Sequence, residues 1–462
     1  MPADVVRKVL QVSERPVHVL IIGAGLSGTC LAHGLKRAGL SVAVYERGAA
    51  RGDGFFGCRL AIGPRGSKAL RDALPPDLYQ TFLATCAAPP RHLAVYSDGL
   101  DELLSIRLPA SAGSGDGSAT GMHYASAMTL RQLMLTGVED VVHFGKELTH
   151  YEQRPGGRVT AFFADGSSAV GDVLVGADGR RSRVRRQYLP HAGVLECGPA
   201  AVFGQVPLSD AAMVLPGKML EGLSVVSGRD GSSLMTQPME FKWDAMGEPK
   251  PHVGCLDAAL IKTWPGLSHD RTVDHVLWGL MVPSWFSRTE PACLAGDRLI
   301  DAVMGLTRPW HTALRALVKL TDPATAAVTP ALVSDSVARW QATNVTLLGD
   351  ALVCRVPDAG EGANAAFRAA GILCRLLAEA VDRGRPVVSA INDYEAATHR
   401  CGRAASSAYT KCLTRQARAT KPVIGPVLAA GTRMRLRVAD RVPRLKARVA
   451  SEYRWLQGGS TA

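Results

Sequence analysis

The sequence predicts an α/β protein of three parts: a parallel-sheet domain that starts near the N-terminus, a mainly antiparallel sheet domain, and a basic helical C-terminal region. Three observations carry this. The unbroken apolar run Val17-His-Val-Leu-Ile-Ile22 leads into a glycine-rich turn and then a helical pattern. From about Cys197 to Pro291 the chain alternates short apolar runs with many Gly and Pro. From Lys411 onward it carries twelve Lys and Arg against only Asp440 and Glu452.

An apolar run of this length, without alternation, fits a parallel strand covered on both faces. The stretch after it places Leu31, Leu35 and Ala38 on one helical side, and Gly39 is suited to end that helix. Ser41-Val-Ala-Val-Tyr45 reads as a second strand, completing a βαβ unit. Pro109 to Gly121 is a Ser/Gly/Ala-rich segment that reads as a loop, and the segment from Thr129 to Leu135 reads as a helix. Arg158–Phe163 and Ala169–Val175 read as strands flanking the turn Ala164-Asp-Gly-Ser. The Gly/Pro-punctuated stretch with Trp243, Trp264, Trp278 and Trp285 suits an antiparallel sheet. Asn344–Leu348 is a short buried strand. From Gly360 a long helix follows, its stripe being Ile372/Leu373, Leu376/Leu377 and Ala380/Val381.

The 462 residues suit two or three domains, and 47% hydrophobic with 20% charged residues is ordinary globular usage, so a sizeable core is expected. The ten cysteines form no CxxC pair, which argues against a zinc site or a disulfide framework and for reduced thiols in a cytoplasmic protein. The first residues lack the apolar core of a signal peptide, and no stretch is apolar enough to span a bilayer. The net charge of +12 belongs almost entirely to the C-terminal region. Its Met434, Leu436 and Val438 side is expected to pack on the N-terminal domain, leaving a solvated basic face. Nucleic-acid binding has no supporting motif.

Three motifs point to one chemistry. The first is Gly23-Ala-Gly25-Leu-Ser-Gly28, with Glu46 and Arg47 at the end of the next strand. Glycines there permit a tight turn and close approach of backbone to a pyrophosphate, and the helix N-terminus offers unpaired N–H groups to the phosphates. Glu46, 23 residues after Gly23, stands near the spacing at which an acid accepts hydrogen bonds from an adenosine ribose. The second is Asp178-Gly179-Arg-Arg-Ser182-Arg-Val-Arg185, which read alone is a strand-to-helix turn with Ser182 as cap. The third is Gly349-Asp350-Ala351, continuing to Pro357-Asp-Ala-Gly360-Glu-Gly362-Ala363-Asn364.

In this order the motifs resemble those of the class A, p-hydroxybenzoate hydroxylase-like FAD-dependent monooxygenases, and Arg131 in Thr-Leu-Arg-Gln-Leu resembles that family's Arg-x-x-Leu segment. The resemblance spans most of residues 17–395, in four short islands. It implies a Rossmann-type FAD-binding domain of the glutathione-reductase kind over 1–80, 122–195 and 296–395. A substrate-binding domain over 81–121 and 196–295 and a basic helical region over 396–462 complete the layout. It implies that Asp350 bonds the ribityl chain, that Gly360 and Gly362 bring backbone N–H groups to the flavin pyrimidine edge, and that Asp178 walls the flavin region. The cofactor is then non-covalent FAD, with NADPH or NADH as a transient reductant, since no second GxGxxG follows a strand. The chemistry implied is oxygen addition at flavin C4a and hydroxylation or epoxidation of a hydrophobic small molecule by the hydroperoxide, in polyketide-like secondary metabolism.

Two positions depart from that family: Val353 stands where it has a His, and Ala369-Ala370 where it has Asp-Ala. They keep open a second reading. FAD-bound cyclases of the spirotetronate pathways resemble monooxygenases yet catalyse a [4+2] cycloaddition on a polyene with FAD as a structural element. The Trp-x-Trp-x-Ile-Pro signature of flavin halogenases is missing, Trp278-Gly-Leu-Met-Val-Pro283 being a faint echo. Substrate contacts are expected from Arg59, Met235, Gln237, His252 and Trp278. No Ser/His/Asp or metal-ligand cluster stands out, so no general base is assigned. A monomer or homodimer is expected.

Overall fold

A computed structural model of the chain describes residues 16–53, 59–108, 121–154, 157–196, 201–270, 272–282, 294–329, 332–334, 339–353, 361–399 and 424–452. The expected loop at 109–120, Trp285, and the motif residues Pro357 and Gly360 lie outside these.

Five parallel strands form the first sheet, in the order Val345–Leu347, Val173–Gly176, His18–Ile22, Ser41–Tyr45 and Val142–His143. Strand side chains alternate between faces, and both faces are covered. Val19 and Ile21 join a core with Leu31, Leu35, Leu373 and Leu377 from the helices Leu26–Arg37 and Glu361–Asp382. Leu20 and Ile22 join a second core with Leu148, Tyr151 and Phe163 from a three-stranded antiparallel sheet on the other side. This double burial explains the unbroken apolar run. The two helices pack closely because Gly34 has no side chain; a Cβ there would lie 2.9 Å from the Cys374 Sγ.

The strand expected over Ala169–Val175 is two strands, Ser168–Gly171 and Val173–Gly176, in different sheets. At the crossing, Gly171 passes so close to the first strand that a Cβ would sit 2.6 Å from Leu20 Cγ. Asp172 then accepts a hydrogen bond from the His18 N–H at 2.8 Å.

The second domain is a seven-stranded sheet, ordered Ala327–Thr329, Ala201–Pro207, His275–Met281, Ser233–Met239, Leu223–Ser227, His92–Ser97 and Glu102–Arg107. It is antiparallel except where Leu223–Ser227 runs parallel to His92–Ser97. One face buries Val202, Val206, Leu234, Val276, Trp278 and Leu280 against Leu299, Val303, Leu314 and Leu317. The helices Gly296–Leu306 and Thr312–Lys319 therefore belong to this sheet, not to the dinucleotide domain that was expected to resume at 296. The sequence has no marker there, because an amphipathic helix does not say which sheet its apolar side meets.

The basic C-terminal region forms two helices, Ile424–Arg441 and Pro443–Glu452. They dock on the last strands of the seven-stranded sheet and not on the dinucleotide domain, correcting that expectation. Leu436, Ala439 and Val449 pack with Val95, Leu103 and Leu104. Arg433 pairs with the buried Asp98 at 3.2 Å and donates to the Ser227 carbonyl at 2.7 Å. Asp440 accepts from the Ser105 N–H at 3.1 Å. The inward stripe is set by residues 433, 436 and 439/440, a helical repeat. Met434 and Val438, expected inside with Leu436, are 63% and 44% exposed. Among the described residues no helix is long and apolar enough to cross a membrane.

A buried carboxylate anchors the segment that follows the long helix. Glu395, on the helix over 387–399, accepts hydrogen bonds from Thr346 Oγ1 at 2.8 Å and the Tyr188 hydroxyl at 3.3 Å. Burial, partly offset by these bonds, pushes its carboxyl up to about 7. The folded state thus favours the protonated form, a contribution fully present below the ordinary glutamate range and lost as pH rises through about 7. Thermal midpoints of the native protein should therefore fall more steeply between pH 5 and 8 than those of Glu395→Gln. Parallel curves for the two proteins would remove Glu395 from this role.

Candidate functional site

The three glycine-bearing motifs meet at the N-terminus of the helix Leu26–Arg37. Gly23 has φ of +106°, open to glycine alone in practice, and a Cβ there would lie 2.5 Å from the Ala177 carbonyl oxygen. A Cβ on Gly28 would lie 2.1 Å from the Gly23 carbonyl oxygen and 3.3 Å from Ala177 Cβ. The first motif is thus folded against the second. Gly349, at φ +64°, brings the third motif against the same turn, with Ser27 Oγ 2.7 Å from where its Cβ would be.

Gly25 differs from these neighbours. It is the N-cap of the helix, no side chain caps the N–H groups there, and a Cβ on it would meet nothing within 4 Å. The first turn of a helix presents unpaired N–H groups and a positive dipole end. Here they open onto space that only glycine keeps clear, which fits the pyrophosphate of a dinucleotide.

Glu46 ends the second strand beside this turn. Its Oε2 accepts from the Ala24 N–H at 2.8 Å and its Oε1 from the Gly48 N–H at 2.9 Å, which fixes the carboxylate at the rim. Arg131 comes to the same rim from the helix Ala127–Leu135, which Ser126 caps by accepting from the Thr129 N–H. Its guanidinium is buried and donates to the carbonyls of Arg51 and Asp53, at 2.8 and 3.2 Å. Burial lowers its pKa, while the charges of Glu46 and Asp53 act the other way. Arg47, beside Glu46, is exposed.

Asp178 works largely as the local reading of its turn suggests. Its Oδ2 accepts from the N–H groups of Arg183 and Val184, and Ser182 accepts from the Arg185 N–H, so both cap the helix Arg183–Tyr188. Its Oδ1 is buried without a hydrogen-bond partner. Asn364, expected to serve the cofactor, has its side chain engaged elsewhere: Nδ2 donates to the Ala61 carbonyl at 2.8 Å and Oδ1 accepts from the Gly63 N–H at 2.9 Å. It ties the strand Arg59–Ile62 to the long helix. A Cβ on Gly362 would meet nothing within 4 Å, and Ala363 beside it is half-buried. Arg185 was not among the expected site residues. Buried, it donates to the carbonyls of Ala351, Asp350 and Arg180, at 3.0, 3.4 and 2.6 Å, and so joins the second motif to the third. Its signal was the Arg at the end of Ser-x-Val-Arg.

Of the expected substrate residues, Arg59, Met235 and Gln237 share one region and the other two do not. Arg59 donates to Gln237 Oε1 at 2.6 Å, with its guanidinium carbon 5.3 Å from the Tyr124 ring centre. Met235 pairs across the sheet with Val225 and with Gly279, which in turn pairs with Phe203. Val225, Met235 and Phe203 are half-buried and form an apolar row on the face opposite the helices. Trp278 faces the other way, fully buried, donating to Thr321 Oγ1 at 2.8 Å. The strand's alternation, not the presence of an aromatic ring, decides which side a residue serves. His252 is exposed in a turn outside the sheet. Among the described residues no group of His, Cys, Asp or Glu is placed to hold a metal ion.

Residues 21–65 match the family model of an NAD(P)-binding Rossmann-like domain. The chain is 28% identical over 409 residues to a dual O-methyltransferase/FAD-dependent monooxygenase of Phaeosphaeria nodorum, covering 80% of this chain and 42% of that protein. It spans less than half the length of the first curated relatives it matches. A Photorhabdus luminescens structure described as an FAD-containing monooxygenase superposes with a TM-score of 0.71 at 26% identity, over 87% of this chain and 98% of that one. The Klebsiella pneumoniae protein HpxO, solved with FAD and uric acid, gives 0.67 at 22% identity, over 96% and 97% of the two chains.

The geometry separates two classes of glycine. Gly25→Val should cost the apoprotein at most about 1 kcal/mol, through the poorer helix cap, while emptying the site of flavin, because an added Cβ meets no protein atom within 4 Å. Gly28→Val should destabilise the fold itself by about 1–3 kcal/mol, as overpacking does. Flavin absorbance at equal protein concentration, with melting curves, checks both; full flavin occupancy in Gly25→Val would misplace the site.

Proposed function

We propose that the chain is a class A FAD-dependent monooxygenase, with FAD as its cofactor, and that it inserts one oxygen atom into a hydrophobic small molecule of polyketide type. The observation that carries this is the open, uncapped helix N-terminus at Gly25, walled by all three motifs, in a chain whose second sheet keeps a half-buried apolar row.

The roles follow from the chemistry of each group. The N–H groups after Gly25 bind the pyrophosphate, and Glu46 and Arg131 hold the adenosine side at the rim. Asp350 receives the ribityl chain, and the backbone at Gly362 and Ala363 lies at the start of the long helix, where a dipole end favours negative charge on the pyrimidine edge. Bound FAD supplies two-electron chemistry and oxygen activation, with NADPH or NADH as the transient reductant. On the substrate side, Val225, Met235 and Phe203 offer apolar contact that excludes water. Gln237 and Arg59 add hydrogen-bonding groups that orient a polar edge of the molecule.

Val353 favours a second reading. It stands where the family carries a His, and a non-redox [4+2] cyclase has no need of flavin reduction. NADPH or NADH added without oxygen should bleach the flavin absorbance, and turnover should add the mass of one oxygen to the product. A flavin that stays oxidised with both nicotinamides, together with a linear polyene that gains a ring at unchanged mass, would replace oxygenation by cyclisation.

A further inference from the structure

The two C-terminal helices have a second apolar side that the fold does not use. At about 3.6 residues per turn, Val427, Met434 and Val438 lie opposite the docked Leu436 and Ala439. They are 70%, 63% and 44% exposed. Val442, between the two helices, and Leu445, on the second, are exposed as well. Of the twelve exposed large hydrophobic side chains among the described residues, five fall between positions 427 and 445, a concentration beyond the usual scatter of single exposed residues.

Cations rim the patch. Arg437 and Arg441 lie on one flank of the first helix, and Arg444 and Arg448 are exposed on the second. Arg441, Arg444 and Arg448 enter no ion pair among the described residues, whereas the inward Arg433 is neutralised by Asp98 and Lys446 by Asp440. The inward cations are thus paired; on the outer side Arg437 pairs with Asp101 at 3.5 Å, while Arg441, Arg444 and Arg448 stand around the apolar stripe. The sequence from Lys411 onward adds further Lys and Arg against one further acid, Glu452.

We propose that this outer face docks on an anionic membrane surface, the helices lying in the plane of the interface. A helix with an apolar stripe flanked by arginines places its stripe at the acyl boundary and its guanidinium groups at phosphate depth. Charge complementarity commits the face to an acidic bilayer: on the outside of a docked helix pair, Arg441, Arg444 and Arg448 accompany the exposed Met434, Val438 and Val442. The inner face stays on the sheet, so docking requires no unfolding.

The test uses the full-length flavin-loaded protein with vesicles of phosphatidylcholine alone and of phosphatidylcholine mixed with phosphatidylglycerol. Co-sedimentation is expected with the mixed vesicles only, weakening as salt is raised. Arg441→Gln/Arg444→Gln/Arg448→Gln should weaken it about fivefold per charge, on the order of a hundredfold in all. Met434→Ser/Val438→Ser should abolish most of the salt-resistant remainder. Both variants should keep full flavin content and an unchanged thermal midpoint, since none of these side chains is buried. No binding to the mixed vesicles, or undiminished binding by both variants, overturns the proposal. A concentration-dependent oligomer of the native protein that both variants lose also overturns it, assigning the face to protein association.

Discussion

The structure depends on how closely backbones approach one another around Gly23. Three segments far apart in the chain, at 23–28, 176–179 and 349–351, come within contact of a single helix start, and at each approach a side chain would collide. Arg185 then ties the second segment to the third through three carbonyl oxygens. Once this junction forms, the sheet order, the entry angle of the first helix and the place of Glu46 follow. The open position at Gly25 has meaning only because its neighbours are closed.

The cradle and the second sheet divide the work. Everything that fits the cofactor is backbone or backbone-bound: helix N–H groups, a carboxylate held by two N–H groups, a guanidinium held by carbonyls. Such a site is rigid and indifferent to the substrate. In the proposed reading the substrate meets side chains standing on a pleated sheet, where one substitution changes a surface without moving the scaffold. Arg59 and Gln237 join the two parts, one from each.

What was legible in the sequence was whatever a local pattern encodes. The buried first strand, the helix closed at Gly39, the helix from Thr129 and the antiparallel character of the second sheet each carry a periodicity or a turn residue of their own. Facing was not legible. Trp278 and Met235 look alike as apolar strand residues, yet one serves a core and the other the half-buried row, because only pairing register separates them. The helices after 296 and the C-terminal pair were given the wrong partner for the same reason. At Asn364 the motif marks the residue but not that its amide holds the strand at Ala61 and Gly63.

The hydrogen bond from Ser105 to Asp440 has a consequence in time. It satisfies an N–H of the outermost strand of the seven-stranded sheet with a carboxylate 335 residues later in the chain. At ribosomal rates of roughly 5–20 residues per second, that strand emerges some 20–70 s before its cover exists. Through that interval the nascent sheet presents an open edge with apolar Leu103 and Leu104 beside it, the geometry that invites pairing with a neighbouring chain. Yield in a crowded cell is then set partly by what shields this edge during synthesis, a vulnerability that the finished molecule no longer displays.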